Sequence, residues 1–271
     1  MLRGKSLSIR RGFLAIIAMV VLVAVVPVAV ADSRRIVYAI DVDITNLDPI
    51  NSIDPGSAAV TQQIYEPLVR IGSNGEIEPV LAESWSVGSD KVTWFFNLKK
   101  GVKFQDGTPF DAAAVKAHFD RLLDPDKPAR ARGAFDMVKK VEVASTYTVK
   151  FTLTKPYAPF LAVMTDLGGL ICSPTAVKKW GDDYPFHPVG TGPWMFKEWL
   201  PADHTTLVPN PNYWGGKPKV SELVFKPVPE PSARVIMLEN GQADVANSIM
   251  PDEMKRLERS KDIQIHKVPV L

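Results

Sequence analysis

One cysteine, Cys172, stands among 271 residues. A single thiol excludes an internal disulfide and cannot by itself make a zinc site. Its neighbours Leu170 and Ile171 are apolar, so a buried structural thiol is expected rather than a reactive nucleophile. The four histidines, His118, His187, His204 and His266, lie far apart, and none falls in HExxH or another metal-ligand spacing. No GxxxxGK phosphate loop is present, which removes the main signal for ATP hydrolysis. No Gly-x-Ser-x-Gly elbow marks a hydrolase. An enzyme is left without a positive motif, and neither a cofactor nor a metal is called for.

A surplus of positive charge is also missing once the N-terminus is set aside. Of the 32 Lys and Arg, four (Arg3, Lys5, Arg10 and Arg11) fall in residues 1–31, which hold none of the 30 Asp and Glu. The other 28 basic residues face all 30 acids, so residues 32–271 carry −2. No basic patch speaks for nucleic acid.

The first 31 residues have their own pattern. The charged start runs into an almost wholly apolar stretch from Gly12 to Val30 and ends in Ala29-Val30-Ala31 before Asp32. Charge, apolar run and small residues at −3 and −1 mark a secretory signal cleaved after Ala31. The stretch is long enough to span a bilayer, so a retained anchor is the alternative. Pro27, which breaks the helix just before the cleavage point, favours the signal. Arg10-Arg11-Gly12-Phe13-Leu14 is a partial twin-arginine match, with Ile9 where Ser or Thr usually stands, so the export route stays open.

The remaining chain has a mixed pattern. The 23 prolines favour a loop-rich fold over a helical bundle. Strands are predicted at Arg35–Val42, Leu81–Trp85, Val92–Leu98, Lys140–Ala144, Thr146–Leu153, Met195–Trp199, Thr205–Pro209, Val220–Val228 and Ile263–Val270. Helices are predicted from about Ala58 to Val69 behind a Ser57 cap, after Asp111, at Pro159–Ala162, from Pro174 and Pro231, and from Pro251. His118 lies beside Val115, Phe119 and Leu122 and is expected to pack at its helix surface. The irregular alternation describes an α/β or α+β fold with a mixed sheet.

Three segments in order resemble the family 5 extracellular solute-binding proteins, the dipeptide, oligopeptide and nickel receptors of ABC importers. They are LDPINSIDPGSAAVTQQIYEPLVR from Leu47, PVLAESWSVGSDKVTWFFNLKKGVKFQDGTPFDAAAVKAHFDRLLD from Pro79, and PVGTGPWMFKEWLPADHTTLVPNPNYWGGKPKV from Pro188. Ala114 departs from the family, which often has an acid before the Val of this helix. The resemblance implies a periplasmic binding protein of type II. Residues 32–78 and 179–271 would form the core of its first lobe and residues 79–178 an inserted subdomain. Family members are usually about twice this length. The resemblance therefore implies that Ile263–Val270 approaches the crossover to a second lobe, and the chain reads as truncated there.

The function it implies is the periplasmic solute-binding component of an ABC importer, working with a membrane permease. Peptide is the default solute, with nickel complexes, opines, haem and oligosaccharides open. A secreted hydrolase or a structural periplasmic module is the alternative. Asn46, Asp48, Tyr65 and Glu66 sit at loop or helix ends where the family's first lobe faces its cleft, and Trp194 follows a rigid Gly-Pro turn near the hinge. These five are the candidate ligand-binding residues, with capping and packing as their other reading. N-terminal sequencing of the protein exported from its host should begin at Asp32. A start at Met1 would instead show that the apolar stretch is retained.

Overall fold

The computed structural model describes residues 34–266. The signal segment therefore lies outside the described residues, as does Lys267–Val270 of the last predicted strand. Residues 263–266 of that strand are described and have no regular secondary structure.

Strand β1 (Arg35–Ile40) leads through a long loop to helix α1 (Pro55–Ile64). The helix starts three residues before its expected position because Asp54, not Ser57, caps it: Oδ1 accepts the Ser57 N–H at 2.8 Å. Pro55 then fills the first helical position, where a missing N–H has no helical partner to lose. Ser57 Oγ is used elsewhere and accepts the backbone N–H groups of Thr45 and Asn46. The helix stops at Ile64 because Glu66 precedes Pro67, and a residue before proline avoids the helical region. Val69 is thereby released to strand β2 (Val69–Ile71), which pairs with β3 (Ile77–Pro79).

Strands β4 (Ala82–Val87) and β5 (Thr93–Leu98), helix α2 (Ala112–Leu123), and strands β6 (Val138–Ser145) and β7 (Thr148–Leu153) follow. The four strands form an antiparallel sheet ordered β4-β5-β7-β6. Asp111 caps α2 by accepting the Ala114 N–H at 2.9 Å. Val115, Phe119 and Leu122 are all buried, and Phe119 meets Phe151 edge to face at 4.9 Å between centroids. His118, expected at the helix surface, is 2% exposed. Short helices α3 (Phe160–Val163) and α4 (Pro174–Trp180) come next, the second capped by Ser173 Oγ.

The chain continues through β8 (Trp194–Leu200), β9 (His204–Pro209), β10 (Glu222–Pro227), α5 (Pro231–Glu239), β11 (Val245–Ala246) and α6 (Pro251–Leu257). A five-stranded sheet is ordered β11-β1-β10-β9-β8. In it β1 runs parallel to both β10 and β11, while β8 and β9 are antiparallel additions.

Two hydrophobic cores result. One lies under the four-stranded sheet around Phe96, Phe119 and Phe151, the other against the five-stranded sheet around Ile40, Ile64, Leu207 and Phe225. They are joined where Gly190–Trp194 passes the end of α1. Gly192 N–H donates to the Ile64 carbonyl at 2.9 Å. Gln105 closes the junction: its Nε2 lies 3.1, 3.1 and 2.8 Å from the carbonyls of Ile64, Gly192 and Trp194, and its Oε1 accepts the Gly190 N–H. A Cβ on Gly190 would stand 2.2 Å from the Ile64 oxygen, and one on Gly192 2.7 Å from it. Backbone cannot yield as a flexible side chain can, so Gly190→Ala should cost about 3 kcal/mol in urea unfolding. Gly133→Ala, where a Cβ meets nothing within 4 Å, should stay within about 0.5 kcal/mol of the parent.

Candidate functional site

Strands β1, β10 and β11 are parallel, so their carboxyl ends share one edge of the sheet. The β10–α5–β11 connection carries the chain from one side of β1 to the other. In open α/β sheets a ligand crevice forms outside the carboxyl ends of parallel strands, where connections part.

Asp41 leaves β1 at this edge. Its Oδ1 accepts from Asn247 Nδ2 at 3.0 Å and its Oδ2 from Ser248 Oγ at 2.7 Å, while its own N–H donates to Asn247 Oδ1. Partial burial pushes its carboxyl pKa up. The bonds from Ser248 and Asn247 and the nearby Arg234 charge outweigh burial and hold it below the usual range. Asp43 Oδ2 accepts the Ala202 N–H, which brings the β8–β9 turn to the same edge. Thr45 Oγ1 donates to Asp54 and ties the loop to the start of α1. Val42, Ile53, Leu200 and Met250, on or next to these tied segments, are apolar side chains left 38–56% exposed.

The five residues singled out from sequence lie deeper. Asn46 is half-buried, and its Oδ1 accepts the Asp48 N–H at 2.8 Å. Asp48 is buried and takes two bonds from Arg121, Nη1 to Oδ2 at 3.0 Å and Nη2 to Oδ1 at 2.6 Å. The Tyr65 hydroxyl donates to the Leu47 carbonyl at 2.9 Å and lies 3.0 Å from that of Tyr184. Glu66 accepts from Thr191 Oγ1, Tyr213 hydroxyl and Trp214 Nε1 at 2.7, 2.7 and 2.8 Å. Burial raises its pKa despite those donors and Lys99. Trp194 is buried in the second core. The structure thus brings Asn46 to Asp48, and turns the polar atoms of Asp48, Tyr65 and Glu66 onto protein partners.

Cys172 is buried as expected, with a neighbour that its sequence position does not announce. His118 Nε2 lies 2.8 Å from the Gly168 carbonyl, and Nδ1 3.2 Å from Cys172 Sγ. A carbonyl can only accept, so Nε2 carries the ring proton and Nδ1 accepts from the thiol. Burial and the Arg121 charge, with opposing help from the Gly168 bond, bring the His118 pKa down to about 4. Burial raises the thiol. The pair is neutral thiol and neutral imidazole, the reverse of an activated thiolate. Among the described residues no group of three or more His, Cys, Asp or Glu is placed to hold a metal ion, and no helix is long and apolar enough to cross a membrane.

The profile of bacterial extracellular solute-binding proteins, family 5 (middle region), matches residues 76–271. The chain belongs to the family 5 bacterial extracellular solute-binding proteins. The glutathione-binding protein GsiB of Salmonella paratyphi A is 35% identical over 234 residues, 86% of this chain and 46% of that protein. The ABC transporter-associated periplasmic binding protein DppA from Helicobacter pylori, solved with the peptide STSA, aligns with a TM-score of 0.76 at 29% identity, over 84% of this chain and 49% of its own. NikA from Brucella suis, solved with Fe(III)-EDTA, aligns with a TM-score of 0.74 at 31% identity, over 83% and 46%. The chain spans about half the length of the relatives it matches, and the mixed α/β architecture expected for a partial lobe is theirs.

These family 5 relatives are binding proteins rather than enzymes, which suits a site of fixed hydrogen bonds with a quiescent thiol. What sequence reading missed is the edge itself. Asp41 lies about 200 residues from Arg234, Asn247 and Ser248; Asp41, Asn247 and Ser248 are polar residues directly after short strands, while Arg234 lies within α5 and carries no such signal.

His118 makes a pH prediction. Its folded pKa of about 4 lies below the ordinary 6.5, so the folded state binds fewer protons and its stability is full above pH 6.5. That stability is lost as pH falls through 6.5 toward 4, by about 3 kcal/mol in all. Glu66, with its raised pKa, acts in the opposite direction above 4.5. Urea unfolding at pH 7 and pH 4.5 should show a smaller loss for His118→Gln than for the parent. Equal losses would remove His118 as the cause.

Proposed function

We propose that this chain supplies the first lobe of a periplasmic solute receptor for an ABC importer, and that a peptide or similar small solute docks at the carboxyl edge beside Asp41. In this reading residues 79–178 form the inserted subdomain and a membrane permease receives the solute. The observation that carries it is the edge: three parallel strands end together, with an ionised carboxylate among fixed donors and four exposed apolar side chains. Exposed apolar side chains beside a few convergent polar groups suit a small solute with both kinds of surface. GsiB is named for glutathione and DppA was solved with a tetrapeptide, which favours peptides within the class. The Fe(III)-EDTA in NikA shows that a chelate also fits this architecture.

We assign Asn46, Asp48, Tyr65, Glu66 and Trp194 a supporting role. They hold the 41–54 loop and the end of α1 from behind, and the solute meets what they position. A secreted hydrolase is disfavoured by the thiol–imidazole pair, whose proton sits on sulfur. A solute held by one lobe makes about half the contacts of one enclosed by two, so its affinity drops from about nanomolar toward millimolar. Backbone amide NMR with glutathione and with Ser-Thr-Ser-Ala at about 10 mM tests the placement on that affinity scale. Shifts should concentrate at residues 41–45, 228–230 and 247–250. Shifts elsewhere, or none, would remove the edge as the solute face.

A further inference from the structure

Arg234 is the largest fully buried side chain among the described residues, at 1% exposure. Among the described residues no carboxylate pairs with it. Nε donates to the Asn247 carbonyl at 3.0 Å, Nη1 to those of Val228 and Pro229 at 2.6 and 3.0 Å, and Nη2 to that of Ser248 at 2.8 Å. A buried guanidinium with only carbonyl partners is costly unless its geometry is well satisfied, and here the planar fork meets four acceptors. Those acceptors belong to the two segments that leave β10 and β11, on either side of β1. The next link runs outward. Asn247 and Ser248 present their side chains to Asp41. Ser248 sits at φ 52°, a left-handed conformation that costs a non-glycine residue energy and persists where its surroundings impose it.

We propose that Arg234 is the positioning residue of the edge: it fixes the spacing of the β10 and β11 exits and, through Asn247 and Ser248, aims the Asp41 carboxylate outward. The proposal rests on the reading of this edge as the solute face for its biological meaning. Arg234 itself is sealed from solute. Lysine cannot replace it, because one ammonium with three N–H groups cannot span four carbonyls in two segments.

The test needs no solute, so its failure is separable from failure of the solute reading. In Arg234→Lys, amide exchange at residues 247–250 and 41–43 should accelerate at least tenfold while β5 and β7 keep their protection. The Asp41 carboxyl titration, followed by carbon NMR, should move up toward the ordinary 3.8. Ser248→Ala breaks the outer link alone and should raise the Asp41 midpoint while leaving exchange near Val228 unchanged. Acceleration spread evenly over the protein in Arg234→Lys would overturn the proposal. So would an Asp41 titration that moves in neither variant.

Discussion

The carbonyl of Ile64 is the point on which the described structure turns. It is the last carbonyl of α1, one of the groups a helix leaves without an internal partner. Gly192 N–H and Gln105 Nε2 satisfy it together. The contact is backbone to backbone, with no room for a Cβ on Gly190 or Gly192. It sets the two hydrophobic cores against each other and holds the end of α1 in place. Since Asp54 and Ser57 tie the start of α1 to the 41–54 loop, the position of that loop follows from the same contact.

From there the geometry passes to the carboxyl edge. Asp48, Tyr65 and Glu66 hold the loop and the helix end through buried and half-buried bonds to Arg121, Leu47, Tyr184, Thr191, Tyr213 and Trp214. The opposite side of the edge is held by Arg234. Loops held by such bonds suit the binding task of family 5, because loops ordered beforehand need no ordering when solute arrives.

Much of the fold was legible in local pattern. The helix start after Asp111 and the strands predicted at Lys140–Ala144 and Thr146–Leu153 follow from short-range chemistry that packing does not override. The misplacements have tertiary causes. Ser57 looked like the cap of α1, but its hydroxyl is drawn to Thr45 and Asn46. Helical spacing puts His118 at a helix surface, yet Gly168 and Cys172, about 50 residues away, close over it. For the residues taken from family position, nothing local says whether a carboxylate such as Glu66 faces solvent or the donors Thr191, Tyr213 and Trp214.

The sequence by itself determined that this is a mixed α/β chain with the marks of a family 5 binding protein. Those properties reside in composition, in short-range periodicity and in contiguous wording such as the Pro188–Val220 segment. Only the tertiary structure decided which polar residues gather at the carboxyl edge of the parallel strands, which are buried away from it, and where the proton of the His118–Cys172 pair resides. Those outcomes depend on distances of about 3 Å between residues tens to hundreds of positions apart, set by the junction at Ile64 and the parallel pairing of β1.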